Sequence, residues 1–198
     1  MKFIAALLFS FLGLTTITAQ TITYDDFRSV IPFLQKEDYK SAFEKTEQLL
    51  HSTKSDSSNL RGIVTYMNLF SGAGMVSLDQ MSYDDFSKVL NKCVGQYLVM
   101  SAHPYIDSSA HGYNSLQLAT RDDGQLQGTT ASTNDKRTSI LFFEYFTYRD
   151  TINPGDFIGK YVRCGGILEA FELNPNKSNI WIARLHIRDA FATIERPR

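Results

Sequence analysis

The chain lacks every short motif that announces a familiar chemistry. It has no Walker-type phosphate loop, no GxGxxG turn, no GxSxG nucleophile elbow and no HExxH zinc pair. Ser, His and Asp are all present, but no spacing marks a triad, and a triad need not be local in sequence. The chain therefore reads as a non-catalytic protein rather than an enzyme, and no cofactor is expected.

Cysteine is nearly missing. Cys93 and Cys164 are the only two in 198 residues. In an oxidising compartment they can make one disulfide, and otherwise they are two separate buried hydrophobes. Spacing does not choose between these readings.

An excess of charge of one sign is also lacking. Lys and Arg number 20 against 21 Asp and Glu, for a formal net charge of -1. That balance leaves no global footprint for nucleic acid or an anionic membrane, so any such site must be local. Past the N-terminus, no apolar run is long and charge-free enough to be a membrane helix. With 43% hydrophobic and 21% charged residues, the composition suits one mixed domain or two small ones.

What is present begins with a targeting pattern. Lys2 precedes an apolar core over residues 3–14, too short to span a bilayer, and Ala19 offers the small residue a signal peptidase needs. Residues 1–19 are expected to be a signal peptide. No Cys follows the core, so no lipoprotein anchor is expected. The mature chain should begin near Gln20, exported to the periplasm or secreted, and soluble.

Residues 20–93 carry helical periodicity. Phe27, Val30, Ile31 and Leu34 make a first apolar face, with Thr23 as N-cap and Pro32 expected to kink or shorten the helix. Tyr39, Ala42, Phe43, Thr46, Leu49 and Leu50 make a second. Asp56 or Ser57 can cap a third helix carrying Leu60, Ile63, Val64, Met67, Phe70 and Ala73, and Ser82 caps a fourth. Gly72 and Gly74 weaken the third helix or allow close packing.

Residues 94–198 change to strand signals: β-branched and aromatic runs bounded by turns at 153–156 and 174–177. Residues 140–148 are apolar on both faces and predict a central strand. Shorter strands are expected over 115–120 and 126–131, around a turn at Asp122-Asp123-Gly124, with a mobile tip over 133–137. Val94-Gly95-Gln96-Tyr97 is echoed by Ile158-Gly159-Lys160-Tyr161, as if two strands were entered in the same way.

Two resemblances rest on these residues. Glu37-Asp38-Tyr39-Lys40-Ser41-Ala42-Phe43 resembles a tetratricopeptide helix start, although Ser82-Tyr83-Asp84-Asp85-Phe86 falls off the repeat period. Gly159-Lys160-Tyr161-Val162 running into Gly165-Gly166-Ile167-Leu168 resembles the first strand of an OB-type barrel, with the Gly pair supplying its bend. The chain is similar to small exported bacterial proteins with a tetratricopeptide-like segment, which implies binding rather than catalysis. The expected fold class is α+β, with N-terminal helical hairpins packed on a C-terminal antiparallel sheet or OB-like barrel.

The candidate ligand-binding residues are Arg163, Arg184, His186 and Arg188. A period of two places Arg184, His186 and Arg188 on one strand face, where arginine forks could hold a phosphate, sulfate or carboxylate. The alternative is a solvated face paired with Glu169, Glu172 or Asp189. Glu144, between Phe143 and Tyr145, would have a raised pKa if buried. His103 and His111, with Asp107 between them, are a weaker candidate, and no metal site is assigned. The leading function is an exported binding or interaction module of the cell envelope, with an envelope protein or small anionic ligand as partner. The alternatives are a barrel holding an anionic glycan or nucleic acid on the basic strand, and a hydrolase using Glu144 or the His103–His111 loop.

Overall fold

A computed structural model of the chain describes residues 21–53, 56–106, 115–120 and 124–195. The expected signal segment, Asp107, His111 and the Asp122-Asp123 half of one turn lie outside these residues.

The class is α+β, with the helices first. They are α1 (Tyr24–Gln35), α2 (Tyr39–Ser52), α3 (Asn59–Ser77) and α4 (Tyr83–Cys93). Their starts follow capping chemistry. Thr23 Oγ1 accepts from the Asp26 backbone N–H, while Asp26 accepts from the Thr23 N–H, a reciprocal capping box. Those bonds hold the Asp26 carboxyl below its ordinary range. Asp38 and Ser82 cap α2 and α4. Pro32 does not end α1, which runs three residues past it. The cap of α3 is Ser58, neither Asp56 nor Ser57. Asp56 instead accepts from the backbone N–H groups of Ile22 and Ser58, tying the start of α1 to the loop before α3.

α3 is the central element, buried almost all round. Its two glycines explain how. A Cβ on Gly72 would stand 2.8 Å from the Phe86 ring of α4, and one on Gly74 would stand 2.4 Å from the Tyr39 ring of α2. Both flanking helices thus press aromatic rings onto bare α3 backbone.

The strands are β1 (Tyr97–Pro104), β2 (Gln117–Thr120), β3 (Leu126–Thr133), β4 (Ile140–Tyr148), β5 (Tyr161–Leu173) and β6 (Trp181–Glu195). They form one sheet in the order β1-β5-β6-β4-β3-β2. It is antiparallel except where β4 runs parallel to β6. After β4 the chain crosses to β5, and the turn at Asn174–Lys177 returns β6 into the gap between them. As expected, β4 is internal to the sheet. The ends of the two outermost strands also meet: Tyr105, just past β1, bridges Leu116, just before β2. The sheet is therefore curled.

The echoed Gly-x-Tyr segments lead into β1 and β5, which pair with each other. Gly95 and Gly159 have φ of 83° and 71°, a backbone state that other residues adopt at a cost. The tip expected at 133–137 forms a hydrogen-bonded turn. Asn134 Oδ1 accepts from the Thr138 and Ser139 N–H groups at 2.9 and 3.1 Å, because an Asn side chain can replace a backbone acceptor.

The main core joins sheet and helices. Phe142 of β4 packs against Tyr66 of α3 and Phe86 of α4, with ring centroids 6.0 and 6.4 Å apart. A smaller core lies among α1, α2 and α3, around Val30, Ala42, Leu49 and Val64. Cys93 and Cys164 are buried free thiols, so the unbridged reading holds. Burial pushes Cys93 up to about 11 and Cys164 up to about 12.

Candidate functional site

The strand period sets which β4 residues face the helices. Phe142, Glu144, Phe146 and Tyr148 point inward, and Phe143 and Tyr145 point out. Glu144 thus enters the core at 0% exposure. Its Oε1 accepts from Tyr66 Oη at 2.6 Å and from Ser132 Oγ at 2.9 Å, and those two hydroxyl oxygens lie 3.0 Å apart. Among the described residues, Glu144 Oε2 and Thr130 Oγ1, on the facing residue of β3, have no hydrogen-bond partner. Burial dominates over the hydroxyl bonds and pushes the Glu144 carboxyl up to about 8. Burial, and then the adjacent Glu144, raise the Tyr66 phenol well above its ordinary value. At neutral pH the cluster is a protonated acid beside a neutral phenol.

Tyr66 and Ser132 also line a cleft of about 470 Å³, together with Ser101 and His103 of β1, Tyr161 of β5 and Arg137 of the β3–β4 turn. His103, a candidate from sequence, therefore shares a wall with the hydroxyls that hold Glu144. Asp107 and His111 lie outside the described residues, and among those described no cluster of His, Cys, Asp and Glu could hold a metal.

Arg137 differs from every other described arginine. Arg28 lies over the Tyr24 ring, and Arg61 donates to the Leu50 and Thr53 carbonyls. Arg149, Arg163, Arg184 and Arg188 are ion-paired. The Arg137 side chain is exposed and makes no hydrogen bond, ion pair or ring contact with a described residue. The turn that carries it is anchored across the cleft, because Glu37 between α1 and α2 accepts from the Lys136 backbone N–H and ion-pairs with its ammonium at 3.4 Å.

The four basic residues singled out in the sequence are not gathered in one place. Arg184 and His186 share the outer face of β6, and both meet Glu172 of β5, at 3.2 and 3.3 Å. His186 also stacks on Tyr145, and Arg184 lies over the Trp181 ring. Arg188 pairs with Asp189. Arg163 stands opposite Thr193, nine residues along β6 from Arg184, roughly 30 Å of strand. It donates to Glu195 and to the Met100 carbonyl. Each of the three arginines already has an acidic partner.

A second cleft of about 460 Å³ lies between α2 and α4. Two of its polar groups are committed to the fold: Arg61 to backbone carbonyls, and Asn68 to Thr46 Oγ1 at 3.0 Å.

Sequence reasoning missed Tyr66, Ser132, Tyr161 and Arg137. Tyr66 was detectable, since it falls between Ile63 and Phe70 on the same helical face. No local pattern pointed to Arg137, whose importance lies in the partner it lacks. No known protein family matches the chain, and neither does any curated protein or solved structure.

Proposed function

We propose that this protein is an exported, non-catalytic binding module of the cell envelope, and that its ligand sits in the cleft between α3, β1 and β3. The observation that carries the reading is Arg137, an arginine without a partner among the described residues, above walls of hydroxyls and His103. An unpaired guanidinium beside a cleft of a few hundred Å³ is the arrangement expected of a small-ligand site. Two features favour binding over catalysis. Glu144 is wholly buried, and the hydroxyl protons of Tyr66 and Ser132 are directed at it. The ion pairs to Glu172 and Asp189 lower the attraction of the β6 face for anions, so the cleft is the stronger site. Export rests on Lys2, the apolar core over 3–14 and Ala19. Among the described residues no helix is long and apolar enough to cross a membrane.

The test is native mass spectrometry of protein recovered from its own cells, with an N-terminal sequence read from the same sample. A small molecule should travel with the wild type and with an Arg184→Ala/His186→Ala/Arg188→Ala variant, and be lost from Arg137→Ala. The chain should start at Gln20. Loss from the triple variant alone would move the site to the basic strand. A start at Met1 in all fractions would end the export reading. Chemical turnover of the bound molecule would make the protein an enzyme.

A further inference from the structure

The polar cleft does not end at Tyr66. It continues into an apolar trough of about 280 Å³ between α1, α3 and β1, and the two share Tyr66, Phe70, Ser101 and Ala102. The trough walls include Phe27, Ile31 and Leu34 of α1, Ile63 of α3 and Val99 of β1. Phe27, Ile31, Leu34, Ile63 and Phe70 are only half-buried; the first four pack against the smaller core and Phe70 against the main one. An apolar chain laid in the trough would take the rest of their surface out of water, the main driving force for such binding.

Charge is asymmetric along this path. Among the described residues no Asp or Glu lines either the cleft or the trough, although the chain as a whole is nearly neutral. The nearest buried acid, Glu144, holds its proton at neutral pH. Of the two arginines on the path, Arg163 is committed to Glu195 and the Met100 carbonyl, which leaves Arg137. A single guanidinium fork matches a carboxylate bidentately, one positive charge to one negative. The register break of β1 between Val99 and Ala102 falls beside Ser101 and Ala102, which cleft and trough share.

We infer that the ligand is a long-chain carboxylate, its acid group on Arg137 among the Ser101, Thr133 and Tyr161 hydroxyls, its chain in the trough. This rests on the cleft being the ligand site. An apolar tail fits because Phe27, Ile31, Leu34, Ile63 and Val99 line the trough, and its arginine, Arg163, is already bound to Glu195 and the Met100 carbonyl.

The experiment is calorimetric titration of the purified protein with decanoate below its micelle concentration, beside decanol and butyrate. Decanoate should bind more tightly than either. Arg137→Ala should weaken decanoate about tenfold to hundredfold, the value of one charged hydrogen-bonded contact, and leave decanol unchanged. Ile31→Gln, in the trough, should weaken decanoate and leave butyrate unchanged. Because Arg137 is exposed and unpaired, its removal should not shift the melting temperature, which separates lost binding from lost folding. Decanoate that fails to bind, or binds Arg137→Ala as well as wild type, overturns the inference. If the molecule from the cells still depends on Arg137, the cleft reading survives that failure. If that molecule ignores Arg137 as well, both fall. A bound peptide with a free C-terminal carboxylate would also overturn it.

Discussion

Tyr66 Oη lies 2.6 Å from Glu144 Oε1, across the seam between α3 and β4. The bond joins the helical layer to the middle of the sheet with no water-exposed atom on the acid. Tyr66→Phe removes one of two donors to a buried carboxyl and should destabilise the protein by about 1–3 kcal/mol. The Tyr66 bond lowers the Glu144 pKa, so its loss should raise that pKa further. Urea unfolding at pH 6 measures the first effect. A midpoint equal to wild type would mean that the bond adds nothing to stability.

Glu144 also makes stability depend on pH, with a definite sign. Its pKa is 4.5 when free and about 8 in the fold. Below about 4.5 both states hold the proton, and no charged form is penalised. Between about 4.5 and 8 the unfolded chain releases the proton that the fold retains, so stability falls with rising pH, by up to about 1.4 kcal/mol per unit. Above about 8 the loss is complete. Glu144→Gln cannot ionise, so its stability advantage over wild type should widen from pH 5 to pH 8. Paired denaturant titrations across that range check this. A constant gap would show that Glu144 is ionised in the fold throughout.

Gly74→Ala tests the packing of α2 on α3. In an exposed helix this change stabilises by about 1 kcal/mol. Here the new Cβ would stand 2.4 Å from the Tyr39 ring, which is 1% exposed. The expected outcome is destabilisation by about 1–3 kcal/mol through overpacking. Adding Tyr39→Leu should recover part of it, read as a coupling in a double-mutant cycle.

Much of this fold could be read from residue periodicity, because helices and strands announce themselves locally. Thr23, Asp26 and Ser82 gave helix starts by capping chemistry, and residues 140–148 gave an internal strand by their unbroken apolarity. The parallel β4–β6 pair was not legible, since pairing direction depends on how distant strands dock. The candidate site was legible only in fragments. Glu144 was singled out from Phe143 and Tyr145, but those two point outward, and its burial comes from sharing a face with Phe142 and Phe146. Its partners Tyr66 and Ser132 lie 78 and 12 residues away in sequence, and no local window contains all three. The basic strand was conspicuous because its period of two is local, while Glu172, which meets both Arg184 and His186, is on another strand.

The two thiols should behave as buried hydrophobes. Mobility on a non-reducing gel should match that under reduction. A thiol reagent at pH 8 should modify Cys93 and Cys164 slowly in the native protein and fully in urea, because burial holds both pKa values near 11–12. Fast modification without denaturant would mean that α4 or β5 opens readily.

β6 follows β4 and β5 in the chain, yet it fills the slot between them. A growing chain that has reached β4 holds β1 without its ladder partner and β4 without β6. Assembly of the sheet therefore depends on distant contacts, the feature that slows folding. Shortened chains lacking β6 would not be smaller versions of this protein. They would be two unjoined half-sheets with their apolar faces open, prone to aggregate rather than to wait.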